Sequence, residues 1–165
     1  MLTLKWLHAH VHYNSETGEW TRLTRRGGHA IGTPVGFIAV DREGRQYRFC
    51  VLQGKRYKMS RLAVFYTRGR WPTGVVDHKD GDTLNDVWAN LRDCSQQQNS
   101  CNRRPNSNNK SGHKGVWWCA QRRRWIVILR AAGRRHFLGY FTDRALAAAA
   151  YKAGAVKLHG EFARA

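Results

Sequence analysis

The sequence has no long apolar run, and none of its hydrophobic stretches approaches the length of about 18 residues that a transmembrane helix needs. Residues 1–12 also lack a basic segment followed by an apolar one, which is the pattern of an export signal. These two absences argue against a membrane protein and against an exported one. We therefore expect a chain that works in the cytoplasm and has no membrane partner.

Closely spaced cysteines are also absent. The four cysteines, Cys50, Cys94, Cys101 and Cys119, form no Cys-x-x-Cys pair and no tight disulfide framework. Free thiols of this kind suit a reducing compartment. One alternative is a zinc site that includes Cys94 and Cys101, which needs two further ligands from elsewhere in the chain.

Acidic residues are few and unevenly placed. The 165 residues include 11 acids against 29 lysines and arginines, a net charge of +18, and residues 94–142 contain no acid at all. Such an excess of positive charge indicates a polyanionic partner, most simply nucleic acid. Because 42% of the residues are hydrophobic and seven are tryptophan, the chain is predicted to fold rather than to form a basic disordered tail.

The first part of the chain, residues 1–70, has the pattern of a small β-rich segment. Two apolar runs around a turn, residues 36–40 and 46–52, lead through Gln53-Gly54 into residues 55–59 and predict an antiparallel meander. Ser60 is placed to cap a short helix over residues 61–67 that ends at Gly69.

Three histidines alternate near the N-terminus, namely His8, His10 and His12. A strand would place all three imidazoles on one face. We expect half-exposed strand residues there, and a transition-metal chelate is the alternative.

The last part of the chain, residues 113–165, follows a polar connector at residues 105–112 that has the composition of a linker. Its pattern predicts three strands, which are residues 115–119, 124–131 and 135–141. Thr142 is placed to cap a helix over residues 143–159, in which Asp143 lies favourably at the N-terminal end of the helix dipole. The whole chain is therefore predicted to belong to the α+β class.

The middle part, residues 71–104, contains the most informative pattern. Val75 and Val76 deliver Asp77 and His78 to a strand end, a polar loop follows, and residues 90–94 read as a returning strand. Ser95 with Gln98 three residues on is a capping-box pattern, so that a helix begins there. The expected order is strand, loop, strand, helix, in which Asp77, His78 and Asn99 converge, with Asn102 as an alternative to Asn99.

This set of side chains suits the hydrolysis of a phosphodiester bond. A hard divalent cation such as Mg²⁺ or Mn²⁺ prefers oxygen ligands, which Asp77 and Asn99 supply. An imidazole titrates near neutral pH, so that His78 is suited to take a proton from water. The cation stabilises the charge that develops on the phosphate and on the leaving oxygen.

Asp77-His78, with Asn90 and Asn99 following at intervals of twelve and nine residues, resembles the HNH nuclease motif of phage-type homing endonucleases. The variant is the one in which asparagine replaces the last histidine. The resemblance implies a ββα-metal (His-Me finger) fold, with His78 as the general base and with Asp77 and Asn99 as ligands of Mg²⁺ or Mn²⁺. It assigns Asn90 to the bracing of the loop that orients His78. Only one histidine lies in the motif, so that a metal site with two or three histidines is not expected.

The last part resembles an AP2 DNA-binding domain, which lays a three-stranded sheet into the major groove and supports it with a helix. The resemblance rests on residues 111–116, Trp125, residues 138–141 and the alanine-rich helix that leads to residues 159–162. HNH nucleases joined to AP2 domains are known in phages and mobile elements. The N-terminal segment more weakly resembles the one that commonly precedes the motif.

The basic and aromatic residues of the acid-free stretch are the candidate DNA contacts, because arginine pairs with guanine edges or holds phosphates. They are Arg103, Arg104, Lys114, Trp117, Trp118, Arg122, Arg124, Arg130 and Arg135.

The sequence therefore predicts a metal-dependent HNH endonuclease that acts on double-stranded DNA and nicks one strand per active site. No obligate protein partner is evident, and the cytoplasm would be that of a bacterial host if the gene is phage-encoded. Two alternatives stay open: a non-catalytic, sequence-specific DNA-binding regulator with a decayed motif, and a protein directed to RNA.

Overall fold

A computed structural model of the chain describes residues 2–42, 44–102 and 108–163. It contains mixed helix and sheet, which confirms the predicted α+β class. The chain divides into two compact units, Met1–Gln96 and Gln97–Ala165. No helix in the described ranges is both long and apolar enough to cross a membrane.

The described residues of the first unit form two α-helices and three small antiparallel sheets. The sheets pair β1 with β2, β3 with β4 and β5, and β6 with β7. The helices are α1 (Leu4–His10) and α2 (Met59–Arg68), and the strands are β1 (Val11–Tyr13), β2 (Trp20–Arg22), β3 (Phe37–Val40), β4 (Gln46–Leu52), β5 (Lys55–Lys58), β6 (Val75–His78) and β7 (Leu91–Cys94). The predicted meander is confirmed as the three-stranded sheet. One core, which includes Leu7, Trp20, Cys50 and Leu62, joins α1, α2 and these strands.

The strand predicted for the N-terminal histidines is wrong, because residues 4–10 form helix α1. The Thr3 hydroxyl accepts a hydrogen bond from Trp6 N at 3.2 Å and starts the helix, and Leu7 is fully buried. Burial of Leu7 in the core outweighs the strand preference that the alternating histidines indicate. Residues two apart on a helix point in different directions, so that His8 and His10 do not share a face, and His12 alone lies in a strand.

Helix α2 ends at Gly69 as predicted, where a left-handed conformation (φ 70°) suits glycine. Its predicted start is wrong. Lys58 is the N-cap, and Ser60 lies buried within the first turn together with Met59. Burial of the Met59 side chain in the core draws residues 59 and 60 into the helix.

The second unit contains one three-stranded antiparallel sheet and two helices. Its elements are α3 (Gln96–Cys101, which begins at the last residue of the first unit), β8 (Val116–Cys119), β9 (Arg124–Ala131), β10 (Arg134–Phe141) and α4 (Arg144–His159), with the strands in the order β10-β9-β8. Helix α4 packs on one face of the sheet through a core that includes Val127, Leu129, Ala147, Tyr151 and Ala155.

The three strands and the long helix follow the sequence pattern closely, except at the start of α4. Asp143, not Thr142, is the N-cap: its carboxylate accepts a hydrogen bond from Leu146 N at 2.9 Å. Asp143 holds the extended backbone conformation that this position requires. The cap prediction for Thr142 was wrong by one residue.

Candidate active site and sheet surface

A two-stranded antiparallel ribbon carries Asp77 and His78. Strand β6 pairs with β7 so that Asp77 lies opposite Arg92 and His78 opposite Leu91. The β-branched Val75 and Val76 favour the strand that leads to the pair. Both Asp77 and His78 are buried, His78 to 4% exposure. An acid and an imidazole at such depth require polar partners, and the first unit supplies them.

The partner of His78 is Asp86. The imidazole Nε2 lies 3.0 Å from Asp86 Oδ1, and the Asp86 side chain is 2% exposed. A carboxylate accepts hydrogen bonds and does not donate them, so that Asp86 favours a proton on Nε2 and orients the imidazole ring.

The segment that carries Asp86 is held from the N-terminal part of the unit. The Tyr13 hydroxyl donates to the Asp86 carbonyl at 2.6 Å, and burial, followed by the charge of Asp86, raises the pKa of Tyr13. Gly18 packs against the same backbone so closely that a β-carbon there would lie 2.6 Å from Asp86 C. Two contacts distant in sequence therefore fix the position of the group that orients His78.

The partner of Asp77 is Arg92 on the neighbouring strand. Arg92 Nε and Nη2 lie 2.9 and 2.7 Å from the same oxygen, Asp77 Oδ2. Both side chains are buried. The arginine neutralises the carboxylate that the sequence predicts as a metal ligand.

Asn90 connects the two sides of the loop between β6 and β7. Its Oδ1 accepts from Asp80 N at 3.1 Å, and its Nδ2 donates to Asp80 Oδ1 at 3.0 Å and to the Asn85 carbonyl at 2.8 Å. Lys79 N also donates to the Asn90 carbonyl at 2.9 Å. These four hydrogen bonds tie down the turn that begins directly after His78.

Asp80 is the acceptor at the centre of this loop. Partial burial raises the pKa of Asp80. Hydrogen bonds from Asp82 N and from the side chains of Asn85 and Asn90, together with the nearby His78, lower it by a larger amount, so that the pKa lies below its ordinary value. The loop therefore favours the ionised form of Asp80.

Asn99 lies half-buried in α3 and belongs to the second unit, whereas Asp77, His78 and Asn90 belong to the first. Asn102, the alternative to Asn99, is buried just after α3. Within residues 2–42, 44–102 and 108–163, no three His, Cys, Asp or Glu side chains lie close enough to hold a metal ion. One buried oxygen near His78, Asp86 Oδ2, has no hydrogen-bond partner in that part of the chain.

The strand register of the second unit sorts the candidate DNA contacts onto two faces of its sheet. Val116, Val127 and Leu129 face α4. In an antiparallel pair, opposite residues point to the same side, so that the other face carries Trp117 opposite Ile126, and Arg130 opposite Arg135. Arg124 also lies on this open face, which we call the arginine face: Trp117, Arg124, Ile126, Arg130, Arg135 and Tyr140.

Two of the predicted contacts lie elsewhere in the second unit. Trp118 is on the α4 side, in edge-to-face contact with Trp125 at 5.3 Å between ring centroids. Lys114 Nζ donates to the carbonyls of Ser100 and Cys101 at 3.1 and 2.7 Å. Its ammonium group therefore takes part in the internal packing of the unit.

Arg122 extends the arginine face, with its guanidinium 4.8 Å from the Tyr140 ring centroid. Arg103 and Arg104, also predicted as DNA contacts, lie outside the described residues. Like charges directly opposite each other on neighbouring strands repel. The pairing of Arg130 with Arg135 therefore places two positive charges next to each other on this face.

The sequence reasoning missed Asp86 and the pairing role of Arg92. Asp86 follows Asn85 in a polar loop and had no signal beyond turn composition. The sequence did contain a signal for Arg92. If residues 77–78 and 91–92 pair as an antiparallel hairpin, one of the two possible registers places Arg92 opposite Asp77.

Comparisons with known proteins identify a family for part of the chain. A family model described as HNH endonuclease matches residues 57–101, which run from β5 to α3. Protein 3.8 of Escherichia phage T7 is 36% identical over 97 residues, which cover 58% of this chain and 79% of that protein. No solved structure matches the chain. The buried histidine, its loop and these matches together show that the chain contains an HNH endonuclease domain and belongs to the family of the phage T7 Protein 3.8.

Proposed function

We propose that the protein is a metal-dependent, homing-type HNH endonuclease that hydrolyses phosphodiester bonds in double-stranded DNA. The single observation that carries the proposal is the buried His78–Asp86 pair, which lies inside the matched HNH segment. A buried imidazole that a carboxylate orients through Nε2 is suited to act as a base, and a nuclease requires a base that activates water.

In this proposal His78 takes a proton from the attacking water, and Asp86 positions its ring. Asn90 keeps the loop after His78 in place through the hydrogen bonds to Asp80 and Asn85. The roles are separate: His78 contacts the reacting atoms, whereas Asp86 and Asn90 position His78 and do not contact them.

The donor chemistry fits a hard divalent cation, Mg²⁺ or Mn²⁺. Asp77 would supply a carboxylate oxygen and Asn99 an amide oxygen, the ligand types that such cations prefer. When bound, the ion would stabilise the negative charge on the scissile phosphate and on the leaving oxygen. Arg92 holds Asp77 Oδ2 and thereby fixes the orientation of the carboxylate that would bind it.

We propose that the second unit binds DNA through the arginine face, in the manner of an AP2-like domain over residues 113–165. The support is the sheet itself: arginines and an exposed tryptophan occupy the face that α4 leaves uncovered. Residues 71–104 would form the ββα-metal nuclease segment, with residues 105–112 as the linker and residues 1–70 as the preceding segment. One motif per chain implies one strand cut per active site, so that a monomer would nick DNA.

A second candidate function has one observation in its favour. The Asp77 carboxylate already has a cation, Arg92. A protein in which this ion pair never yields to a metal would bind DNA as a regulator without cutting it.

Incubation with supercoiled plasmid in the presence of Mg²⁺ or Mn²⁺ separates the two functions. The nuclease converts supercoiled plasmid to nicked circles, whereas the regulator shifts the plasmid on a gel and leaves it intact. His78→Ala should remove cleavage and leave DNA binding within about twofold, because the imidazole contributes to chemistry and not to the charge that holds DNA.

His12→Ala is the matched control, because His12 is an exposed histidine on β1 of the same unit. It should cut like the parent protein. Equal cleavage by the parent and by His78→Ala would overturn the assignment of the base.

A further inference from the structure

A cavity of about 200 Å³ lies in the first unit, between α1, β2 and the turn that joins β4 to β5. None of the residues proposed for catalysis lines it. Its polar lining comes from five side chains, namely His10, Arg22, Thr24, Arg26 and Gln53, and no acidic residue among the described ones contributes. A concave site with two guanidinium groups and no carboxylate is matched to an anion.

Arg22 is the unusual member of this lining. Its Nε is buried and has no hydrogen-bond partner among the described residues. It lies close enough to the buried Cys50 to oppose the rise that burial causes in the pKa of that thiol, which reaches about 12. A guanidinium nitrogen that is buried without a hydrogen-bond partner costs free energy, and an anion in the cavity would supply the missing acceptor.

The wall that α1 contributes is ordered by stacking. The rings of Trp6 and His10 are stacked with centroids 4.0 Å apart, and the Arg26 guanidinium lies 5.4 Å from the Trp6 centroid. His10 Nδ1 is hydrogen-bonded to the Trp6 carbonyl at 2.8 Å, which leaves Nε2 as the ring's second polar atom. Ordered side chains lose little entropy when a ligand binds.

We propose that this cavity is a phosphate-binding site, in which Arg22 and Arg26 hold the anion with help from the Thr24 hydroxyl. The donor fork of a guanidinium matches the oxygens of a phosphate and makes short, charge-assisted hydrogen bonds. The volume of the cavity is several times the roughly 30 Å³ that one water molecule occupies, so that the cavity accommodates a phosphate group. The phosphate is either a free one or one of the DNA backbone, and only the second source rests on the proposed function.

The first arm of the test uses inorganic phosphate alone. Calorimetric titration and the thermal midpoint are measured for the parent protein, for Arg22→Gln, and for the matched control Arg25→Gln, which removes the same charge from an exposed neighbour. We expect Arg22→Gln to weaken phosphate binding at least about tenfold, as befits a lost charged hydrogen bond. The control should bind phosphate like the parent.

Stability without phosphate gives a second readout. Removal of an uncompensated guanidinium should leave Arg22→Gln at least as stable as the parent in phosphate-free buffer. If Arg22→Gln does not fold, Arg26→Gln takes its place in the test, because Arg26 is an exposed side chain that lines the same cavity. Arg26→Gln should also weaken phosphate binding. Equal binding of phosphate by the parent and by a folded lining variant would overturn the proposal.

The second arm identifies the source of the phosphate with a short DNA duplex, in a His78→Ala background that cannot cut it. If the backbone fills the cavity, Arg22→Gln should reduce the slope of log affinity against log salt by about 0.9, and Arg25→Gln should not. If a free phosphate fills the cavity, Arg22→Gln should bind the duplex as tightly as the parent does and should still bind inorganic phosphate more weakly. Because neither arm measures cleavage, failure of the nuclease assignment leaves this test intact.

Discussion

Asp77 and Arg92 form a buried ion pair across the β6–β7 ribbon, in which Arg92 Nε and Nη2 lie 2.9 and 2.7 Å from a single carboxylate oxygen. A buried carboxylate that loses the cation paired with it is destabilised, and the usual cost of breaking such a pair is about 3–5 kcal/mol. The same carboxylate is the proposed metal ligand. The ion pair therefore links the stability of the fold to the proposed metal site.

Arg92→Met should lower the free energy of unfolding by about 3–5 kcal/mol in the absence of divalent ions. Millimolar Mg²⁺ or Mn²⁺ should restore part of that loss, because a cation bound to the folded state compensates the carboxylate. Urea unfolding with and without the metal measures both effects. The control Arg70→Met removes an exposed arginine and should change neither. A metal-independent loss in Arg92→Met would argue against Asp77 as a ligand.

Asp86→Asn should lower kcat for plasmid nicking by about 10²–10³-fold and leave KM nearly unchanged, because a misoriented base impairs the chemical step only. Nitrogen chemical shifts of the His78 ring should also show a change in which ring nitrogen carries the proton. Asp41→Asn, at a surface ion pair with Arg45, is the control and should cut normally. Equal losses in kcat and in folded fraction would mean that Asp86 is only structural.

Gly18→Ala should destabilise the protein and reduce cleavage together. The position has φ +74°, and a β-carbon would lie 2.6 Å from the backbone of Asp86, so that the segment that orients His78 must shift. Gly32→Ala is the matched control, since it has a similar φ of +81° and open space around it. We expect about 1–2 kcal/mol of backbone strain in both variants and a loss of activity in Gly18→Ala alone.

Trp117→Ala and Trp118→Ala should differ in DNA affinity although the residues are neighbours. Trp117 lies on the arginine face, whereas Trp118 packs against Trp125 on the α4 side. We expect Trp117→Ala to weaken binding several-fold and Trp118→Ala to act mainly on stability. Gel-shift titration together with thermal unfolding checks the contrast. The opposite order would place the DNA on the other face.

Low pH should loosen the loop after His78. The pKa of Asp80 in the folded protein lies below its ordinary value of 3.8, so that its stabilising contribution is complete above that value and is lost as the pH falls through the lower one. Asp80→Asn should therefore show less acid-induced loss of stability than the parent between pH 5 and about pH 2. Denaturant unfolding at several pH values measures this, with the exposed Glu16→Gln as control. Identical pH profiles of the parent and Asp80→Asn would contradict the role of Asp80.

The candidate site was predictable where chemistry depends on local spacing. Asp77 and His78 end the first strand, Asn90 directly precedes the second, and a polar loop lies between them; each of these elements has a clear local signal. Asp86 was not predictable, because its importance depends on Tyr13 and Gly18, which lie about seventy residues away in the chain. The roles in catalysis stay predictions until the variants are measured.

The sequence by itself determined the α+β class, the meander of β3–β5, the strands and long helix of the second unit, and the concentration of positive charge in it. These features arise from hydrophobic periodicity, turn residues and composition, all of which act over short distances along the chain. Only the tertiary structure decided that residues 4–10 form a helix, that His78 and Arg92 each meet a buried carboxylate, and that Trp117 and Trp118 face opposite ways. Burial and strand register set those outcomes, and both depend on segments that the local pattern does not contain.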